Sequence, residues 1–163
     1  YYRKEVLSNY RYKSVFSEEK KYFDSNRERF LKVANFIEKG ENVLHVYSEC
    51  GALAIFLHYK NENKVYGMEP DEKKIAISRN CFAVQHSNLQ FFNSAPQELT
   101  SFKNLIISPA KSTVYQDTLQ DLIGANVEKI IILDPDYNYR WIIDLNFEIV
   151  YRQNDVILLQ KLR

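Results

Sequence analysis

A single acidic residue stands where the chain could bind a ribose. Glu69 follows the apolar run at residues 65–68, precedes Pro70 and Asp71, and lies 18 residues after Gly51. A carboxylate at the end of a strand can accept hydrogen bonds from both hydroxyls of an adenosine ribose. The same residues also make a favourable helix start, because proline fits the first helical turn and acidic side chains favour the positive helix end. Both interpretations stay open on the sequence.

A second candidate for ligand binding is the stretch V-L-H-V-Y-S-E-C-G-A-L at residues 43–53. An α/β protein that binds a nucleotide-like cofactor usually enters its first helix through two or three glycines, whereas this stretch keeps only Gly51. A Cβ restricts such a turn and fills space that the ligand would need. The stretch is therefore a cofactor loop with lost glycines, a modified one, or an ordinary turn.

The remaining candidates for chemistry favour structural roles. His45 lies inside an apolar strand, where a lone histidine is more often a hydrogen-bonded core residue than a catalyst. Cys50 is expected to be a buried, inert thiol rather than a reactive thiol at a helix start. His58 and His86 are spaced too irregularly for a metal site. The stretch D-P-D-Y at residues 134–137 is typical of a turn. No metal is expected, and no catalytic residue is identified.

The elements around these residues alternate between short apolar strands and amphipathic helices. Ser25 and Glu28 form a capping box, which predicts a helix that begins there and ends at Gly40. The alternation favours right-handed βαβ units and a mostly parallel sheet with helices on both faces. Further along, the predicted strands are 43–47, 65–69, 89–92, 105–108 and 130–133, and the predicted helices are 52–59, 71–82 and 115–123.

The C-terminal region breaks this alternation. Residues 147–151 and 156–161 form two strand-like runs with only residues 152–155 between them. Four residues cannot contain a crossover helix, so the two strands must be antiparallel. The predicted fold class is α/β, a three-layer sandwich whose Rossmann-like, seven-stranded, mostly parallel sheet ends in an antiparallel hairpin. Residues 1–24 are predicted to form a helical extension or lid, and residues 25–163 a single α/β domain.

Composition and charge bear on the partners of the chain. Twenty-two basic and 21 acidic residues give a net charge of +1, so no nucleic acid is expected among the partners. No apolar run approaches the roughly 20 residues of a membrane span, so no membrane insertion is expected. Two cysteines without a C-x-x-C spacing favour a cytoplasmic location, either in the reducing cytoplasm or as a domain that faces it. The sequence opens with Tyr1 rather than methionine, and we expect it to be part of a larger polypeptide.

Within residues 25–163 the chain resembles the class I S-adenosylmethionine-dependent methyltransferases. V-L-H-V-Y-S-E-C-G-A-L-A resembles their first motif, V-L-D-x-G-x-G-x-G-x-L. K-V-Y-G-M-E-P-D-E-K-K-I-A-I-S-R-N resembles the second, in which an acid holds the ribose. N-L-Q-F-F-N-S-A-P-Q-E-L resembles the third, in which an aspartate followed by alanine meets the adenine, and N-L-I-I-S matches the fourth strand. The resemblance implies the same fold, including the terminal hairpin, and S-adenosylmethionine as the cofactor.

The resemblance also implies which residues meet the cofactor, and it shows where this chain departs from the motifs. His45 replaces the acid of the first motif, Tyr47 and Glu49 replace two of its three glycines, and Ser94 replaces the aspartate of the third. The resemblance implies that Glu69 binds the ribose and that the loop from Tyr47 to Gly51 surrounds the methionine group. The implied cofactor-binding set is His45, Tyr47, Glu49, Gly51, Glu69, Pro70, Ser94, Ala95 and Ser108.

Two functional hypotheses follow from the resemblance. One is an active methyltransferase whose methyl acceptor is undetermined. The other is a catalytically inactive methyltransferase-like domain, retained for packing or partner binding, in which Tyr47 and Glu49 fill the cofactor loop. A nicotinamide-dependent oxidoreductase would require G-x-G-x-x-G in the first turn, which is absent. The opening residues 1–13 also resemble the segment before methyltransferase-like domains attached to bacterial acyltransferases of lipid assembly, which implies a small-molecule or lipid-pathway substrate.

Overall fold

A seven-stranded sheet forms the centre of the computed structural model, which describes residues 13–80, 88–94, 101–108, 116–124, 126–135 and 139–163. The strands are β1 (Asn42–Val46), β2 (Lys64–Met68), β3 (Leu89–Phe92), β4 (Asn104–Ile107), β5 (Lys129–Leu133), β6 (Phe147–Gln153) and β7 (Val156–Lys161). The helices are α1 (Lys13–Phe36), α2 (Ala52–Asn61), α3 (Glu72–Asn80), α4 (Gln116–Leu122) and α5 (Arg140–Ile143). No helix within the described ranges is long and apolar enough to cross a membrane.

The strand order is β3-β2-β1-β4-β5-β7-β6. The first five strands pair in parallel, while β7 runs antiparallel between β5 and β6. This arrangement confirms the predicted sandwich and its terminal hairpin, whose turn is shorter than expected because β6 continues to Gln153. From β1 the chain adds β2 and β3 toward one edge of the sheet, and it then adds β4 and β5 on the opposite flank of β1. In open α/β sheets a ligand binds at such a reversal, beyond the carboxyl ends of the strands.

Two apolar clusters cover the two faces of the sheet. Successive side chains of a strand point to opposite faces. In β1 this alternation places Val43 in a cluster with α1 and α2, and Leu44 and Val46 in a second cluster that contains Leu119 of α4. Both clusters are composed of side chains with almost no exposed surface. Because β1 is buried on both faces, the end of β1 is held in one position, and with it the loop that follows.

Helix α1 is longer than the sequence predicts. Its described part extends from Lys13 through Ser25 and Glu28 to Phe36, so the predicted capping box is not a helix start. The physical reason is that the residues before Ser25 contain no glycine or proline and several glutamates and lysines, which continue a helix readily. The helix crosses the predicted boundary at residue 24. Residues 1–12, which contain nearly all of the acyltransferase-like segment, lie outside the described residues.

Helix α1 is fixed to the antiparallel end of the sheet. Arg29 Nη1 lies 2.5 Å from Asp134 Oδ2, just after β5, and Lys32 Nζ lies 3.4 Å from Asp155 Oδ1 in the β6–β7 turn. At the end of α1 the ring of Phe36 packs against the ring of Tyr151 in β6, with the ring centroids 5.0 Å apart. These contacts join the first described helix to the last strands. The short helix α5 was not predicted, because four residues are too few to show a helical period.

Candidate cofactor site

The loop between β1 and α2 has the backbone path of a glycine-rich turn. Tyr47 (φ 57°), Glu49 (φ 53°) and Gly51 (φ 84°) all adopt positive φ. These are the three positions at which the methyltransferase first motif carries glycine. A side chain in the left-handed conformation brings Cβ close to the following carbonyl oxygen, which costs about 1–2 kcal/mol per residue. The loop therefore has positive φ at all three of these positions, with strain at the two where a non-glycine residue stands.

The side chains of Tyr47 and Glu49 are held by other parts of the protein. Tyr47 is only 8% exposed and belongs to the apolar cluster that contains Val46 and Met68. Glu49 Oε2 lies 2.7 Å from Lys74 Nζ on α3. The hydrogen bond to Glu49 raises the pKa of Lys74. These contacts place one side chain in the core and the other against α3, and they do not favour a loop filled by its own side chains.

Glu49 offers a direct test of the backbone strain. Glu49→Gly and Glu49→Ala both remove the ion pair, but only alanine keeps a Cβ at positive φ. We expect the Glu49→Gly protein to have a free energy of unfolding about 1 kcal/mol higher than that of the Glu49→Ala protein, as measured by urea denaturation. Ala76, exposed in α3, provides the control, since glycine there should be the less stable residue by a similar amount. Equal stability of the two Glu49 variants would contradict a left-handed conformation at this position.

Glu69 connects the end of β2 to the loop and to the start of α3. Its side chain is buried, and its two oxygens accept hydrogen bonds from different backbone N–H groups. The N–H of Glu49 donates to Oε2 at 3.0 Å, and the N–H of Asp71 donates to Oε1 at 3.0 Å. Burial raises the pKa of Glu69, while these two bonds and the charge of Lys74 oppose the increase. A carboxylate offers about four acceptor positions, so each oxygen can accept a further donor.

The ring of Phe91 packs against two glycines beneath the loop. A Cβ at Gly51 would lie 2.6 Å from Phe91 Cζ, and a Cβ at Gly67 would lie 2.4 Å from Phe91 Cδ1. Gly67 and Phe91 are paired across β2 and β3. Sequence reasoning missed this contact, although a glycine inside a strand is a signal of close approach. Phe91 thus supports Gly51, the one glycine that the loop retains.

His45 and Ser108 face each other across β1 and β4. His45 Nε2 lies 2.7 Å from Ser108 Oγ, and both residues are buried. Burial lowers the pKa of His45 to about 3, so the imidazole is neutral at pH 7. His45 is a hydrogen-bonded core residue, as the sequence interpretation favours. The pair lies beside a small cavity of about 10 Å³ under the loop, whose lining also includes Phe30, Ser48 and Cys50.

The predicted site residues lie at the carboxyl ends of four neighbouring strands. Tyr47, Glu49 and Gly51 follow β1, while Glu69 and Pro70 follow β2. Ser94 follows β3 and is exposed, as is Pro70, whereas Ser108 follows β4 and is buried. Ala95 lies outside the described residues. In the part of the chain that the structure covers, no three His, Cys, Asp or Glu side chains are grouped so that they could hold a metal ion.

Comparison with solved structures identifies proteins of the same fold, although no family model and no curated protein matches the sequence. TrmK of M. capricolum, solved with S-adenosylhomocysteine, has a TM-score of 0.64 at 17% identity over 82% of this chain and 67% of its own. A Streptococcus pneumoniae protein, described as a candidate tRNA (m1A22) methyltransferase, has a TM-score of 0.62 at 21% identity over 83% and 71%. Magnesium protoporphyrin IX methyltransferase of Synechocystis, solved with S-adenosylmethionine, has a TM-score of 0.61 at 15% identity over 94% and 85%.

The prediction that excludes nucleic acid from the partners is wrong. The similar structures include the Streptococcus pneumoniae protein, whose described substrate is a tRNA. The inference failed because a net charge of +1 is a sum over the whole chain. Potentials that attract an RNA arise from local groups of charges, and a near-neutral total leaves room for them. Total charge therefore does not decide whether a chain of this fold acts on RNA.

The strand order and the similar solved structures indicate the same architecture. The fold formed by these strands and helices is similar to that of proteins described as methyltransferases of different substrates, over more than four fifths of the chain. At 15–21% identity this likeness establishes the fold alone. The chain has the fold of the class I S-adenosylmethionine-dependent methyltransferases.

Proposed function

We propose that this chain is an S-adenosylmethionine-dependent methyltransferase domain. The observation that carries the proposal is the hydrogen bond from the Glu49 N–H to Glu69 Oε2. It joins the acid at the end of β2 to a loop that keeps positive φ at all three glycine positions of the first motif. A catalytically silent domain would not need to maintain two strained residues in this conformation, because backbone strain persists chiefly where function requires it.

The residues present fit the cofactor. Glu69 would accept the ribose hydroxyls at the acceptor positions that its two backbone contacts leave open. Glu49 would not repel the carboxylate of the methionine group strongly, since Lys74 neutralises its charge at 2.7 Å. Ser94 and Ala95 would lie near the adenine, and the exposed Pro70 beside the ribose. His45 and Ser108 would support the methionine end from below, through β1 and β4.

S-Adenosylmethionine supplies the activated methyl group in this chemistry. The protein contributes position, because an acceptor atom held in line with the methyl group gains several kcal/mol of rate enhancement without a general base. The loop from Tyr47 to Gly51 and Glu69 would fix the two ends of the cofactor. Ser108, at the end of β4 beside β1, would border the place where an acceptor meets the methyl group.

We further propose RNA as the class of acceptor, on the evidence of the tRNA methyltransferase among the similar structures. The test is transfer of a labelled methyl group from S-adenosylmethionine to an unmodified tRNA transcript. Digestion of the product to nucleosides would identify the modified base. Label in the RNA that disappears with a heat-inactivated protein supports the proposal. Cofactor binding without label in any transcript of a complete tRNA set would contradict RNA as the acceptor and leave the cofactor site intact.

Cofactor binding is tested separately by calorimetric titration with S-adenosylhomocysteine. We expect one site per chain and a gain of about 2.7 kcal/mol in stability at a ligand concentration of 100 times Kd. NADH serves as the control ligand, because the loop lacks the glycines of a dinucleotide site. Absence of both heat and thermal shift at millimolar S-adenosylhomocysteine would contradict the methyltransferase proposal and favour the inactive domain.

A further inference from the structure

A small cavity with both apolar and polar lining residues lies between α1, the end of β1 and the loop. Its volume is about 10 Å³, and its lining includes Phe30 of α1, His45, Ser48 and Ser108. A site of this size accommodates one water molecule, which needs roughly 10–15 Å³ and two to four polar partners.

Two buried polar atoms on the residues that line the cavity have no hydrogen-bond partner among the described residues. They are His45 Nδ1 and Ser48 Oγ, and each belongs to a residue that is 2% exposed. The other ring nitrogen, His45 Nε2, is occupied by Ser108. A buried polar atom left without a partner costs about 1–3 kcal/mol, so each of these two atoms calls for a hydrogen-bonding group.

We propose that one water molecule binds in this cavity and bridges His45 Nδ1 to Ser48 Oγ. The bridge connects the rigid strand β1 to the middle of the loop, between the strained residues Tyr47 and Glu49. His45 would thus be a positioning residue that replaces the acid of the first motif through water. The existence of the water is independent of the proposed function, whereas its effect on cofactor affinity rests on that function.

A crystal structure of the ligand-free protein tests the water directly. We expect one ordered water within about 3 Å of both His45 Nδ1 and Ser48 Oγ. A dry cavity, or a direct hydrogen bond between these two atoms, would overturn the proposal. Because no cofactor is present, this outcome does not depend on whether the protein is a methyltransferase.

Ser48→Ala tests the role of the water in holding the loop. The variant removes one partner of the water, and we expect the Kd for S-adenosylhomocysteine to rise about 10-fold. Ser101→Ala, which changes an exposed serine outside the cavity, should leave the Kd unchanged. Unaltered affinity in Ser48→Ala would overturn the positioning role. If Ser48→Ala does not fold, the ligand-free structure of the unaltered protein still decides whether the bridge exists.

Discussion

Glu69→Gln is expected to raise the Kd for S-adenosylhomocysteine about 100-fold. The amide has one oxygen instead of two, and its NH2 group would face a backbone N–H that now donates to the carboxylate. Hydrogen bonds to a charged acceptor contribute about 1.5–3 kcal/mol, and the proposed ribose contact would lose its charge in the variant. Calorimetric titration at pH 7 measures the change.

Glu72→Gln is the matched control for this experiment. It removes the same charge from the same region, but Glu72 is exposed in the first turn of α3. We expect the control to bind S-adenosylhomocysteine within about twofold of the unaltered protein, because exposed charges are largely screened. A folded Glu69→Gln protein with undiminished affinity would exclude Glu69 from the ribose contact, whereas loss of folding in this variant would be seen as loss of its unfolding transition.

Acid is expected to destabilise the protein through His45. Burial holds its pKa at about 3 in the folded protein, against an ordinary value of 6.5. Between these values the unfolded chain binds a proton that the folded protein does not, so the contribution of His45 is fully present above pH 6.5 and is lost as the pH falls toward 3. At 1.36 kcal/mol per pKa unit, the loss at pH 4 is about 3 kcal/mol.

His45→Gln isolates this effect, because glutamine does not titrate and its amide can still form a hydrogen bond with Ser108. The free energy of unfolding, measured by urea at several pH values, should fall less steeply in the variant between pH 6.5 and 4. Glu69 acts in the opposite direction: burial raises its pKa, so its own contribution increases as the pH falls. Since Glu69 is present in both proteins, the difference in slope belongs to His45. Parallel slopes would contradict the lowered pKa, because they would show that His45 binds its proton equally in the folded and unfolded protein.

The strands and most helices could be predicted because their sequences carry a physical period. Residues 130–133 have no period, but a short apolar run between Lys129 and Asp134 is typical of a strand buried on both faces, and β5 lies there. The hairpin followed from the shortness of one connection. The start of α1 could not be predicted, because Ser25 and Glu28 satisfy the local rule for a cap while the preceding residues continue the helix. The capping box indicates a helix start at Ser25, whereas the helix-forming residues before it indicate a continuous helix, and the sequence alone does not decide between them.

The site was predicted less completely than the fold, because its geometry depends on contacts between distant residues. Glu69 could be placed at a strand end from spacing alone. The pairing of Glu49 with Lys74 joins a loop to a helix one strand further along, and no local pattern indicates it. The positive φ of Tyr47 could not be predicted either, since tyrosine ordinarily avoids that conformation. Its burial in the core holds the backbone there.

The strand order also bears on how the chain folds. Only β6 and β7 are joined by a tight turn, so this hairpin can form within microseconds from local contacts. The pairing of β1 with β4 closes a loop that contains the whole α2–β2–α3–β3 segment, and such non-local closure slows folding. Because the loop from Tyr47 to Gly51 needs both neighbours of β1, the candidate site would be among the last parts of the protein to become native.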